Sequence, residues 1–76
     1  MEISKIELST KKILKITLDN VNGIRFGHIR IWARNNFSSN YEPSMKGFGF
    51  NLKYLDDLID SLIALKAKVI ESDINE

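Results

Sequence analysis

The hydrophobic period changes once along this chain, at Asn51. Before it, apolar and polar residues alternate, which is the two-residue repeat of a strand with one covered face. After it, Leu55, Leu58, Ile59, Leu62, Ile63, Leu65, Val69 and Ile70 recur at helical intervals. One switch of this kind leaves few architectures: sequential strands, then a single helix, in the α+β class. With 76 residues there is room for one core and no second, so the chain is read as a single domain over 1–76.

Ile6 and Leu8, set against Lys5 and Glu7, place a first strand near 3–8. Leu14, Ile16 and Leu18 place a second over 12–19, after the polar stretch Ser9 to Lys12. Asn22-Gly23 then marks a hairpin, because both residues tolerate the positive φ of a type I′ turn. A third strand over 24–35 puts His28, Arg30, Trp32 and Arg34 on one face and Ile29, Ile31 and Ala33 on the other. Ile24 and Phe26 share the face of His28. Gly27 is expected either to host a bulge that swaps faces or to lie in a start buried on both sides. Asn35 to Ser44, which includes the only proline, Pro43, is expected to be a loop carrying Phe37 and Tyr41. The fourth strand runs over 45–51, with Phe48 and Phe50 to one side and glycines to the other, leaving backbone open to close approach.

Asn51 is the expected cap of a helix over about 52–70. Asp56, Asp57 and Asp60 lie early in it and Lys66 and Lys68 late, as the helix dipole favours, and Glu71 to Glu76 reads as a frayed tail. The apolar band of this helix is wider than the stripe of about 100° that one sheet requires. The surplus, led by Leu55, Leu58, Ile59, Leu62 and Leu65, points to the same helix of a second copy and hence to a dimer. A lone helix with some exposed apolar residues is the alternative.

Composition excludes several classes. Without cysteine there is no disulfide, thiolate metal site or Cys nucleophile. A single histidine, His28, permits no multi-His metal site and reads as a strand residue. Asp56, Asp57 and Asp60 read as solubilising residues. Gly47-x-Gly49 lacks the longer pattern of a phosphate-binding loop. The expectation is a protein with no catalytic activity, metal or cofactor. No apolar run approaches the ~18–20 residues of a membrane span, and the start of the sequence lacks a signal-peptide layout. A cytoplasmic chain is expected, associated with the nucleoid if bacterial.

Net charge is only +1, but it is unevenly spread. Residues 1–50 carry eight basic and four acidic side chains, a net of +4; residues 51–76 carry three and six, a net of −3. The face Arg30-x-Trp32-x-Arg34 sets two guanidinium groups beside an indole. Such a surface suits unpaired nucleic acid: cations neutralise phosphates, and a ring offers a stacking plate worth ~1–3 kcal/mol per base. On residue types alone, a partly buried Trp32 with solvated arginines is the reading that comes first.

Three segments together resemble the single-stranded-DNA-binding domain of the positive-cofactor-four transcriptional coactivators, particularly small bacterial and phage relatives. Ile29-Arg30-Ile31-Trp32 is similar to the Ile-Arg-x-aromatic strand of that family. Lys46-Gly47-Phe48-Gly49-Phe50 is similar to its Lys-Gly-(apolar)-x-(apolar) strand, and the helix follows directly. The likeness covers roughly residues 3–70. It implies a β-β-β-β-α homodimer whose helices pair and whose curved sheets form a basic channel for unpaired DNA, with Arg30 and Lys46 at backbone-contacting positions and Trp32 at the aromatic place. The chain departs from eukaryotic members at Val21, where the hairpin tip lacks their aromatic, and at Ala33, where they carry a second ring. Phe37 or Tyr41 is then a candidate substitute. The sequence contains no Ser-rich regulatory segment of the eukaryotic kind.

The expected function is non-catalytic, sequence-tolerant binding of single-stranded DNA or RNA by a homodimer, in transcription, replication or repair. Lys11, Lys15, Arg30, Arg34 and Lys46 would contact phosphates and Trp32 would stack. The competing expectation is a protein-interaction module that presents the apolar helix face to a foreign partner.

Overall fold

The computed structural model describes residues 1–37 and 39–74. Four strands, β1 (Glu2–Glu7), β2 (Lys12–Val21), β3 (Ile24–Arg34) and β4 (Tyr41–Asn51), pair in chain order into one curved antiparallel sheet. A 3-10 turn (Leu52–Tyr54) leads into one helix, α1 (Leu55–Ile74). This is the β-β-β-β-α order expected from the change of period.

The local signals act as their chemistry predicts at two places. Asn22 and Gly23 take φ of 53° and 81° in a two-residue turn between the paired Val21 and Ile24, and the Gly23 N–H donates to Asn20 Oδ1 at 3.0 Å. Asn51 Oδ1 accepts from the Lys53 N–H at 3.0 Å, capping the 3-10 turn that opens the helix.

Four expectations need correction. Gly27 hosts no bulge: β2 and β3 pair without interruption from Lys12–Ala33 to Val21–Ile24. Gly27 is bare because a Cβ there would lie 2.5 Å from the ring of Phe50, so the glycine seats that ring. Second, β4 begins at Tyr41, and the expected ten-residue loop shrinks to residues 35–40. Pro43 is tolerated because β4 is an edge strand with one side free of ladder bonds. Third, the irregularity lies in β4, where Ile31 stands opposite the three residues Ser44 to Lys46, between the pairs Arg30–Gly47 and Trp32–Pro43. Fourth, the helix runs past Ile70 to Ile74, because no Gly or Pro follows to stop it. Lys66 and Lys68 therefore lie short of its last turn, while Asp56 and Asp57 occupy its first. Asn75 and Glu76, part of the expected tail, lie outside the described residues.

The register sorts the sheet into two faces. One carries Leu14, Ile16, Leu18, Ile29, Ile31, Phe48 and Phe50; the other carries Lys15, Arg30, Trp32 and their neighbours. The helix covers little of the apolar face. It meets the sheet near its own first turns, where Phe48, Phe50, Tyr54 and Leu58 line a shallow groove. The radius of gyration is 15.5 Å, against ~11 Å for a compact domain of this length. Ile13, 5% exposed, is the one buried apolar side chain among the described residues.

Candidate nucleic-acid interface

Antiparallel pairing, not sequence proximity, assembles the charged face. Lys5 pairs with Lys15 and Lys15 with Arg30, so three cations stand in one row across β1, β2 and β3. One step along, Ile13 pairs with Trp32. One further, the Arg34 N–H donates to the Lys11 carbonyl at 2.8 Å, bringing that pair alongside. Five of the six expected contact residues, Lys11, Lys15, Arg30, Trp32 and Arg34, thus share a face. Lys46 lies at its border, exposed in the β4 bulge next to Gly47.

Like charges directly opposite each other in a sheet are destabilising unless something relieves them. Lys15 Nζ is 3.3 Å from Glu2 Oε1 and sits 3.9 Å from the centre of the Trp32 ring. Arg30 Nη1 donates to the Ser44 carbonyl at 2.8 Å. Ser44 in turn donates through Oγ to the Ile31 carbonyl at 2.7 Å and accepts from the Lys46 N–H at 3.1 Å. The bulge is therefore tied to β3 at both ends of the Ser44 residue, and Arg30 is held by the bulge it helps to close. Lys5, Lys11 and Arg34 have no ion-pair partner among the described residues.

Trp32 is partly buried, with the Lys15 ammonium over one face of its ring. This is the half-buried placement that the residue types alone favour. The glycines of β4 also act differently from the expectation of open backbone. A Cβ at Gly47 would lie 2.5 Å from the Ile29 carbonyl oxygen, and one at Gly49 would lie 2.7 Å from His28 Nε2. What approaches closely is the protein's own strand β3. His28 Nδ1 is 2.9 Å from Asp19 Oδ2, near enough for an ion pair but off the line of a ring N–H bond. No cluster of three or more His, Asp or Glu side chains that could hold a metal occurs among the described residues. None of their helices is long and apolar enough to cross a membrane.

Two site residues escape sequence reasoning. Lys5 reads only as one polar position of an alternating edge strand, and its place in the row depends on cross-strand register. Ser44 reads as loop. The Lys-Gly pair after it was the one available sign that a strand was already under way.

No protein-family model and no curated protein sequence matches the chain. Solved structures do. A PC4 homolog from Burkholderia pseudomallei superposes with a TM-score of 0.80 at 17% identity, covering 87% of this chain and 96% of that one. The bacteriophage T5 homolog of the eukaryotic transcription coactivator PC4, implicated in recombination-dependent DNA replication, gives 0.65 at 20% identity, covering 91% and 84%. MoSub1, solved as a complex with DNA, gives 0.61 at 19% identity, covering 91% and 83%. The chain has the fold of the PC4 homologues, and the resemblance read from its three segments holds at that level.

Proposed function

We propose that this protein binds unpaired nucleic acid, single-stranded DNA in the first instance, as a non-catalytic homodimer. The observation that carries the reading is the row Lys5–Lys15–Arg30, continued by Lys11 and Arg34 on the same face. Among the described residues, these five cations share their face with only Glu2, Glu7 and Asp19, an arrangement that a run of phosphates would neutralise. On this reading Lys15 leaves Glu2 and the indole for a phosphate and uncovers Trp32 for a base, while Lys46 extends the track at the bulge. MoSub1, a structural neighbour at 19% identity, was solved with DNA, which supports the choice of ligand.

The dimer rests on the other face. Leu55, Ile59, Leu62 and Leu65 are 38–59% exposed, and Leu58 is only partly covered. The chain exposes 6293 Å², against ~4,700 Å² for a compact monomer of 8.7 kDa. Two copies sharing that excess would bury an area within the obligate-homodimer range of ~2,000–5,000 Å². The helix band and the open apolar sheet face belong to the same chain, so a two-fold pairing supplies each with the other. A foreign partner for the helix is the competing reading, and a monomer in sedimentation would favour it.

The deciding measurement is a titration of labelled oligo-dT and of a duplex of equal length, each at two salt concentrations. Micromolar or tighter binding of the single strand, weakened by salt and exceeding that of the duplex, is the expected result. No binding of the single strand at low salt and micromolar protein refutes the reading.

A further inference from the structure

At the end of the sheet away from the Asn22–Gly23 hairpin, the β1–β2 turn and the β3–β4 loop converge on an open cleft of about 450 Å³. That is within the ~300–1,000 Å³ usual for small-ligand sites. Its described lining includes Lys11, Arg34, Asn35, Asn36 and Phe37, and no carboxylate. Neither Lys11 nor Arg34 is ion-paired among the described residues.

The loop beside Phe37 is anchored. The Phe37 N–H donates to Asn35 Oδ1 at 2.9 Å, and the Asn35 N–H donates to the Asn40 carbonyl at 3.4 Å. The Arg34 N–H to Lys11 carbonyl bond joins this loop to the opposite turn. On that anchored turn Phe37 is 98% exposed. A single exposed apolar residue is ordinary. An exposed ring beside two cations that have no ion-pair partner among the described residues, in a cleft whose described lining holds no acid, has the chemistry of a nucleotide site: a flat apolar plate and a place for phosphate. Tyr41, the other aromatic of this region, is excluded as the plate. Its hydroxyl donates to the Thr10 carbonyl at 3.4 Å, and the residue is partly buried. The cleft is also continuous with the charged face. Lys11 and Arg34 lie four residues along their strands from Lys15 and Arg30, ~13 Å at strand spacing.

We propose that this cleft is a base-capturing subsite, in which an unpaired base of the bound strand stacks on Phe37 and its phosphate is held by Lys11 and Arg34. Asn36 lines the same cleft, and its amide would hydrogen-bond the base edge. The proposal rests on the reading of the charged face as a single-strand channel, and it adds Phe37 as a second stacking plate beside Trp32.

The test compares the unaltered protein with Phe37→Ala and Phe37→Trp, using a fluorescent oligo-dT and a strand of equal length made of abasic sites. Phe37 is almost wholly exposed, so both variants should melt with the parent. Phe37→Ala is expected to weaken oligo-dT binding about fivefold or more and to leave abasic-strand binding unchanged, while Phe37→Trp restores the parent affinity. Parent-like oligo-dT binding by Phe37→Ala, in an assay where Arg30→Ala does weaken it, overturns the subsite and leaves the channel standing. Equal losses on both strands overturn stacking as well. Failure of the unaltered protein to bind either strand removes the channel, and the subsite with it.

Discussion

On one face of the sheet Lys5, Lys15 and Arg30 stand in a row with Lys11 and Arg34 beside them; on the other, Leu14, Ile16, Ile29, Ile31 and Phe48 lie largely without a helix over them. Both arrangements cost free energy in an isolated chain, the first through like-charge repulsion and the second through contact of apolar surface with water. The costs differ in kind. The charged face is held by specific bonds, Lys15 to Glu2 and Arg30 to Ser44, so it is formed before any ligand arrives. The apolar face has no such internal support, since Phe48 remains 50% exposed. The contrast teaches that the two faces should fail differently. Changes to the charged side chains should alter binding with little effect on folding, and changes on the apolar side should alter folding itself.

The largest effect is expected at Leu62. In the single chain it is 53% exposed, and a substitution at such a site ordinarily changes stability by no more than ~0.5 kcal/mol. If a second copy covers it, Leu62→Asp buries an unpaired charge and should cost ~3–5 kcal/mol. The expected outcome is loss of the dimer in sedimentation and a collapsed melting transition, whereas the parent Tm rises with protein concentration. A Leu62→Asp protein that sediments and melts as the parent does would break the comparison on its apolar side.

Next in size is Gly47→Ala. The added Cβ would meet the Ile29 carbonyl oxygen at 2.5 Å and Arg30 Cα at 2.6 Å, both backbone and unable to rotate away. A cost of ~3 kcal/mol in urea denaturation is expected. Gly49→Ala meets the His28 imidazole, which can turn aside, and should cost less. Equal costs for the two would contradict the tight backing of Gly47 against the cation row.

The elements legible in the sequence are those fixed by neighbours a few residues apart. Asn22-Gly23 specifies its turn through backbone freedom, Asn51 caps through its own side chain, and the alternation of Arg30, Trp32 and Arg34 puts them on one face whatever lies opposite. What stayed hidden depends on contacts between distant segments. β4 looked like loop as far as Ser44 because the bulge breaks its alternation and an edge position admits Pro43. The last turn of α1 looked frayed because it is polar, yet nothing in it opposes helix. The state of the Trp32 ring could not be read from its strand at all, since Lys15, on the neighbouring strand, lies over it.

A smaller effect, and on binding more than on folding, is expected for Arg30→Ala. Removing its charge should weaken oligo-dT binding roughly tenfold and lower the slope of log K against log salt by ~0.7. Losing its bond to Ser44 should cost about 1 kcal/mol of stability. Loss of folding with no change in salt slope would make Arg30 a structural clamp alone.

The smallest effect discriminates most finely, because it sets two faces against each other with one residue type. Lys5 and Lys12 are both exposed lysines near the β1–β2 turn, and in sequence neither is marked over the other. Register separates them. Lys5 pairs with Lys15 in the cation row, whereas Lys12 pairs with Ala33 and takes the parity of Leu14 on the apolar face. Each Ala variant changes net charge by the same amount, so a long-range effect of total charge would weaken both alike. A local phosphate contact predicts a drop in salt slope of ~0.7 for Lys5→Ala, with a two- to fivefold loss of affinity on the order expected for one exposed contact, and no change in slope for Lys12→Ala. Neither should shift Tm appreciably, since neither side chain is ion-paired among the described residues. Equal slopes for the two variants would mean that the single strand responds to the overall charge of the sheet half, and the row would lose its claim to be the track.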